Sequence, residues 1–154
     1  TVKIAFADYV KDTAKRLFGW NGAKDEVGRA LLQWWGTDVV RSKDENFWVD
    51  TVIRLIGMIS GMYDFVLIDD VRFQNEIARV AAVFSTYTVR VSRPGYENHL
   101  TPEQRVHPSE TALDNFPFDI YLTARTISEL EEQIQTVLLP AIEKGVHNDS
   151  ERMG

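Results

Sequence analysis

Apolar residues recur every three or four positions over several stretches of the chain and run without a break over one, and this change of period marks out the elements. Val2 to Phe6 reads as a short strand. Ala7, Val10, Ala14 and Leu17 then fall at helical spacing, predicting a helix from about Asp8 to Phe18, with Gly19 and Gly22 in the turn that follows. Val27, Ala30, Leu31, Trp34 and Trp35 mark a second helix, expected to end near Gly36. A third begins near Asp44, which is placed to cap it, and carries Trp48, Val52, Leu55, Ile56 and Ile59 on one stripe as far as Gly61.

The period then changes. Phe65 to Ile68 is continuously apolar and closes on Asp69 and Asp70, the pattern of a parallel strand buried on both faces. A short helix is expected over Gln74 to Phe84, and Tyr87 to Ser92 is a β-branched strand. Arg93 to His107 is polar, holds Pro94, Gly95 and Pro102, and reads as a long loop. Within it, Thr101 to Gln104 has the form of a helix capping box. Phe118 to Leu122 is a last strand. Thr126 to Glu129 is a second capping box, opening a helix that Pro140 is expected to kink or end. Strands alternating with helices predict an α/β fold with a parallel sheet, and residues 1–154 read as a single domain with no internal repeat.

Composition narrows the function classes. With 154 residues, 44% hydrophobic and 26% charged, the chain is of ordinary globular make-up. A net charge of -6 argues against general nucleic-acid binding, yet leaves room for a small basic pocket that takes a phosphorylated metabolite. The absence of cysteine excludes disulfides, zinc ribbons and thiol nucleophiles, and suits the cytoplasm. Arg54 and Asp64 interrupt the longest apolar region, so no membrane span or membrane partner is expected. The chain opens at Thr1 directly in a strand-like segment, and further residues are expected upstream of it.

Three groups of residues could carry chemistry. Asp69 and Asp70 stand at the carboxyl end of the apolar strand, where α/β sheets bind ligands. Such acids can hold Mg²⁺, directly or through water, or simply cap the next turn. Arg72 beyond them could clamp a phosphate or pair with Asp70 or Glu76. Arg29 and Gln33 share a helix face, and Arg41 could fold back toward them. Guanidinium forks match phosphate, and a Gln can read a base edge. Trp48 could stack on a base or belong to the core. Arg93, Arg105 and His107, in the long loop, could close over a polyphosphate or lie in solvent. His107 and Glu110 have H-x-x-E spacing, but with no second His nearby they do not make a zinc site.

Taken together, the segments FADYVK (Phe6 to Lys11), RALLQWWGTDVVR (Arg29 to Arg41), FWVD (Phe47 to Asp50), LIDDVRFQNE (Leu67 to Glu76), VRVSRP (Val89 to Pro94) and HPSETALDNFPFD (His107 to Asp119) resemble the phage-type deoxynucleoside monophosphate kinases. A more distant similarity is to phosphomevalonate kinase, in the P-loop kinase superfamily. The resemblance implies a three-layer fold, a parallel sheet with helices on both faces. It implies transfer of the ATP γ-phosphoryl to a deoxynucleoside monophosphate with Mg²⁺, in the cytoplasm of a host cell, and it is compatible with a homodimer. Lys11, Arg29, Gln33, Arg41 and Trp48 would line the acceptor nucleotide, within a helical part at about 20–62. Asp69, Asp70 and Arg72 would face the phosphates, with the two acids toward the metal. Arg93, Arg105 and His107 would belong to a lid at about 93–108. One departure is large: the family opens with a strand, a G-x-x-x-x-G-K-[ST] loop and a helix, and no such motif occurs in these residues. In that fold the first strand lies centrally, between the strands matching Phe65 to Ile68 and Tyr87 to Ser92. Two explanations stay open: the segment precedes Thr1, or the protein lost it and only binds nucleotide. An α/β interaction module with no small ligand is the third alternative.

Overall fold

A computed structural model describes residues 1–96 and 100–152, without the side chains of 146–152. The architecture is mixed α/β, and its strands form two small parallel sheets of two strands each. The chain divides into two compact units, Thr1–Phe84 and the part from Ser85 onward.

In the first unit β1 (Val2–Ile4) leads into α1 (Phe6–Phe18), and α2 (Glu26–Gln33) runs on into a widened π-helical segment, Trp34–Arg41. Then follow α3 (Phe47–Ile59), β2 (Val66–Ile68) and α4 (Gln74–Ala81). β1 and β2 pair in parallel, from Val2 opposite Val66 to Ile4 opposite Ile68. The expected stripe on α3 does bury: Trp48, Val52 and Ile56, together with Val49, join Ile4, Phe6 and Val80 in the core. α1 stops where expected, at Gly19, whose φ of 65° lets its N–H turn back to the Lys15 carbonyl at 3.1 Å.

Three expectations fail here for identifiable reasons. Gly36 does not end the second helix. A Cβ at that position would lie 3.1 Å from Val10 Cγ1, so the glycine serves close packing against α1. The helix continues by widening, and the Gly36 carbonyl accepts the Trp48 indole N–H at 3.0 Å. β2 is also not buried on both faces. Val66 and Ile68 pack on the core, but Phe65 and Leu67 are 48% and 54% exposed, in a sheet that among the described residues pairs β2 with β1 alone. At the third helix, Asp44 accepts the Asn46 N–H at 2.9 Å and so shapes the preceding turn, while Asn46 takes the cap position.

In the second unit β3 (Val89–Ser92) precedes two single-turn helices, α5 (Pro102–Arg105) and α6 (Pro108–Thr111), and then β4 (Ile120–Thr123). α7 (Ile127–Gln133) passes through a π segment, Ile134–Leu138, into α8 (Leu139–Arg152). β3 and β4 are parallel, from Val89 opposite Ile120 to Ser92 opposite Thr123. The outer edge of β4 is closed at Thr123 by the Gln133 side-chain amide. Its oxygen accepts the Thr123 N–H at 2.8 Å and its nitrogen donates to the Thr123 carbonyl. Pro140 neither ends nor breaks the last helix. The widened segment lies immediately before it, where a proline removes an N–H and its ring crowds the preceding turn. The Thr101 box forms as expected, with Thr101 and Gln104 each accepting the other's main-chain N–H. At Thr126 half of the second box forms: Thr126 Oγ1 accepts the Glu129 N–H, but the Glu129 carboxylate takes the Arg125 N–H instead.

The glycines separate by what surrounds them. A Cβ on Gly28 would come within 2.1 Å of the Ala23 carbonyl oxygen and 2.8 Å of Trp20 Nε1, two groups already hydrogen-bonded to each other at 2.9 Å. Gly28→Ala is expected to lower unfolding free energy by about 1 to 3 kcal/mol. Gly57→Ala, inside α3 with open space around it, is expected to raise it by roughly 0.5 to 1 kcal/mol. Urea denaturation of both variants checks the pair, and equal effects would refute the distinction.

Candidate functional site at the end of the second strand

The segment from Asp69 to Phe73 joins β2 to α4 and is held at both ends. At its start, the Asp70 carboxylate accepts main-chain N–H groups from Phe6 at 2.9 Å and Ala7 at 2.7 Å. These are orphan donors at the start of α1, and Ala5, which occupies the cap position, has no side chain to satisfy them. Asp70 is therefore a helix cap supplied across 64 positions of sequence. Burial pushes its carboxyl above the ordinary range, against the lowering effect of those two N–H groups. Asp69 points elsewhere and pairs with Lys3 at 2.7 Å, a contact that raises the lysine.

At the other end sits Glu76, on the first turn of α4. One carboxylate oxygen accepts the main-chain N–H groups of Arg72 at 2.8 Å and Phe73 at 3.0 Å. The other receives Arg41 Nη1 at 2.8 Å, and Arg41 Nη2 donates to Asn75 Oδ1 at 2.9 Å. Asn75 in turn donates to the Glu45 carbonyl at 3.1 Å and to Asn46 Oδ1 at 3.0 Å. The Arg41 guanidinium lies 3.7 Å from the centre of the Phe73 ring. Both members of the ion pair are buried, with side chains 10% and 5% exposed. Desolvation pushes the Glu76 carboxyl up, opposed first by the two N–H donors and then by Arg41. Arg72, whose main chain is held here, presents an exposed side chain.

The residues expected at the acceptor nucleotide are therefore not gathered as one cluster. Arg41 turns to α4 and is committed to Glu76 and Asn75. Trp48 is 4% exposed and belongs to the core, so it offers no open ring face for a base. Lys11 pairs with Asp8 on its own helix at 3.1 Å, Arg29 donates to the Lys24 carbonyl at 2.9 Å, and Gln33 is half-buried on α2. In the second unit, Arg93 donates to the Arg125 carbonyl at 3.3 Å and lies 5.1 Å from the Tyr96 ring. Arg105 donates to the Leu100 carbonyl at 3.2 Å. His107 caps α6, its Nδ1 accepting the Ser109 N–H at 3.2 Å. Residues 97–99 of the expected lid lie outside the described residues. Sequence reading missed Phe73, Asn75 and Glu76 as an arginine cradle. The available signal was a Glu three residues into a helix that starts just after a strand end.

Asp69 and Asp70, the two acids expected to face a metal, both have partners within the protein. One carboxylate is spent on the α1 N-terminus and the other on Lys3, and among the described residues no group of three or more metal-ligating side chains converges. No described helix is long and apolar enough to cross a membrane. Comparison with protein-family models, curated proteins and solved structures finds no match.

The pH dependence of Asp70 has a definite sign. Its carboxyl holds its proton to higher pH in the folded chain than in the unfolded one, so its contribution to stability is greatest below the ordinary carboxylate pKa and is lost as pH rises through the raised value. Asp70→Asn, which can still cap but cannot titrate, is expected to compare more favourably with wild type at about pH 7 than at about pH 4. Thermal unfolding at the two pH values measures this, and the opposite trend would mean that the N–H donors outweigh burial.

Proposed function

We propose that this chain forms the acceptor and lid portions of a phage-type deoxynucleoside monophosphate kinase, a cytoplasmic enzyme with a three-layer P-loop fold. It would transfer the ATP γ-phosphoryl to a deoxynucleoside monophosphate. The observation that carries the reading is the strand pairing. In that family the P-loop strand would lie between the strands matching β2 and β3. Each sheet, taken by itself, is a parallel pair, and among the described residues β2 and β3 each pair along one edge only, which leaves an edge open for such a strand. The exposed Phe65 just before β2, Leu67 on β2 and Val91 on β3 are what sheets short of their full complement of neighbours leave uncovered.

The second support is Arg72. It stands past the carboxyl end of a parallel strand, on a main chain pinned from both sides. Phosphoryl transfer requires positioned cations more than covalent chemistry, and an exposed arginine on a fixed main chain supplies one. Arg93, at the end of β3 with its guanidinium beside Tyr96, is the lid counterpart in this reading. Small-molecule nucleotides are the partners. ATP and Mg²⁺ enter as the family's co-substrate and ion, and Asp69 and Asp70 are not counted among the metal's ligands.

One observation favours a second reading. No G-x-x-x-x-G-K-[ST] motif occurs in residues 1–154, which fits a protein that binds or sequesters nucleotide without catalysis. Phosphoryl transfer from ATP to the deoxynucleoside monophosphates, measured on this chain and on the chain extended by whatever precedes Thr1 in its gene, separates the two. Turnover is expected only in a form that carries a P-loop. There, Arg72→Ala should lower it by roughly a hundredfold or more while the protein still folds. A P-loop-bearing form that phosphorylates no such acceptor would overturn the kinase reading.

A further inference from the structure

We infer that Arg41 and Glu76 are positioning residues, which hold the Arg72 main chain so that its guanidinium meets the acceptor's phosphate preorganised. The inference rests on the kinase reading for the identity of that ligand, and on geometry for the rest.

Arg41 and Glu76 are themselves out of reach of a ligand, at 10% and 5% side-chain exposure. What they touch is the segment that carries Arg72. One oxygen of Glu76 is given over to the N–H groups of Arg72 and Phe73, at 2.8 and 3.0 Å. Arg41 holds the other oxygen from below, packs its flat face on the Phe73 ring, and is itself fixed through Asn75 to the turn at Glu45 and Asn46. Four successive features of one short loop are thus anchored: the Asp70 side chain on α1, the Arg72 and Phe73 main chain on Glu76, and the Phe73 ring on Arg41.

Stability alone does not account for this arrangement. A buried ion pair is commonly no more stabilising than apolar residues of the same size, because desolvation offsets the attraction. An apolar pair here would also orphan two main-chain donors beside Arg72. The charged pair does something an apolar one cannot: it accepts hydrogen bonds from the loop at a fixed point. Fixing a main chain beneath an arginine reduces the freedom that the side chain loses on gripping a phosphate. Arg41 thus moves from the acceptor site to the support beneath it.

The test uses Arg72→Ala, Glu76→Gln, Arg41→Lys and the double variant Arg72→Ala/Glu76→Gln, with wild type as reference. Arg72 order is read from exchange of its amide and from the NMR order parameter of its Nε–H. Binding is read by calorimetry with dTMP and, separately, with inorganic phosphate. In folded Glu76→Gln, Arg72 order should fall, and dTMP affinity should drop about tenfold or more, as it should in Arg72→Ala. The double variant should lose no more than Arg72→Ala alone, since Glu76 acts through Arg72. Arg41→Lys, which keeps the charge but not the fork, should recover part of the order and part of the affinity. Unchanged Arg72 order in a folded Glu76→Gln would overturn the positioning role whatever binds. Losses that add in the double variant would reduce the pair to a structural one. Lost Arg72 order in a chain whose wild type binds neither probe would leave positioning supported and overturn the kinase reading instead. Should Glu76→Gln fail to fold, Arg41→Lys carries the same readings.

Discussion

The buried contact between Arg41 and Glu76 is the constraint on which the loop between β2 and α4 depends. It joins the widened end of the second helix to the first turn of α4, and through the free oxygen of Glu76 it also fixes the loop that leaves β2. Burying a carboxylate and a guanidinium is tolerated only when nearly every donor and acceptor is used. That condition is met: Asn75 takes the second guanidinium nitrogen, two main-chain N–H groups take the second carboxylate oxygen, and the Phe73 ring covers the guanidinium face. No buried side-chain polar atom among the described residues lacks a partner.

The same economy appears at Asp70. α1 begins on Ala5 and Phe6, neither of which can satisfy the first N–H groups of the helix, and the cap comes instead from the far end of the neighbouring parallel strand. Parallel pairing of β1 with β2 brings the two carboxyl ends together, so the residue after one strand can serve the helix after the other. An acid that looked suited to a metal ion is thereby explained by an unfilled helix terminus. The widening of α2 has a related cause. A glycine there admits Val10 closely, and its carbonyl accepts the Trp48 indole N–H.

In the second unit the polar loop after β3 is more structured than its composition implies. α5 and α6 each start at a capped residue followed by proline, a local device that needs no tertiary support. The closing of β4 by Gln133 shows how a small parallel sheet protects one edge without another strand.

The sequence by itself determined the elements whose causes are local. The α3 stripe, the Gly19 stop, the Thr101 box and the alternation of strands with helices all follow from period, capping chemistry and backbone freedom, which neighbouring residues fix among themselves. What it did not determine depends on groups distant in the chain. Gly36 looked like a stop because a glycine's packing partner, here Val10, is invisible to periodicity. Leu67 looked buried because a strand's apolar pattern does not state how many neighbours cover it. Asp70 and Arg41 looked like ligand contacts because their charge is readable in sequence, whereas the helix terminus and the carboxylate that claim them lie 64 and 35 positions away. A charged side chain goes to whichever partner the fold brings within hydrogen-bond reach as water is excluded, and only the tertiary structure decides which partner that is.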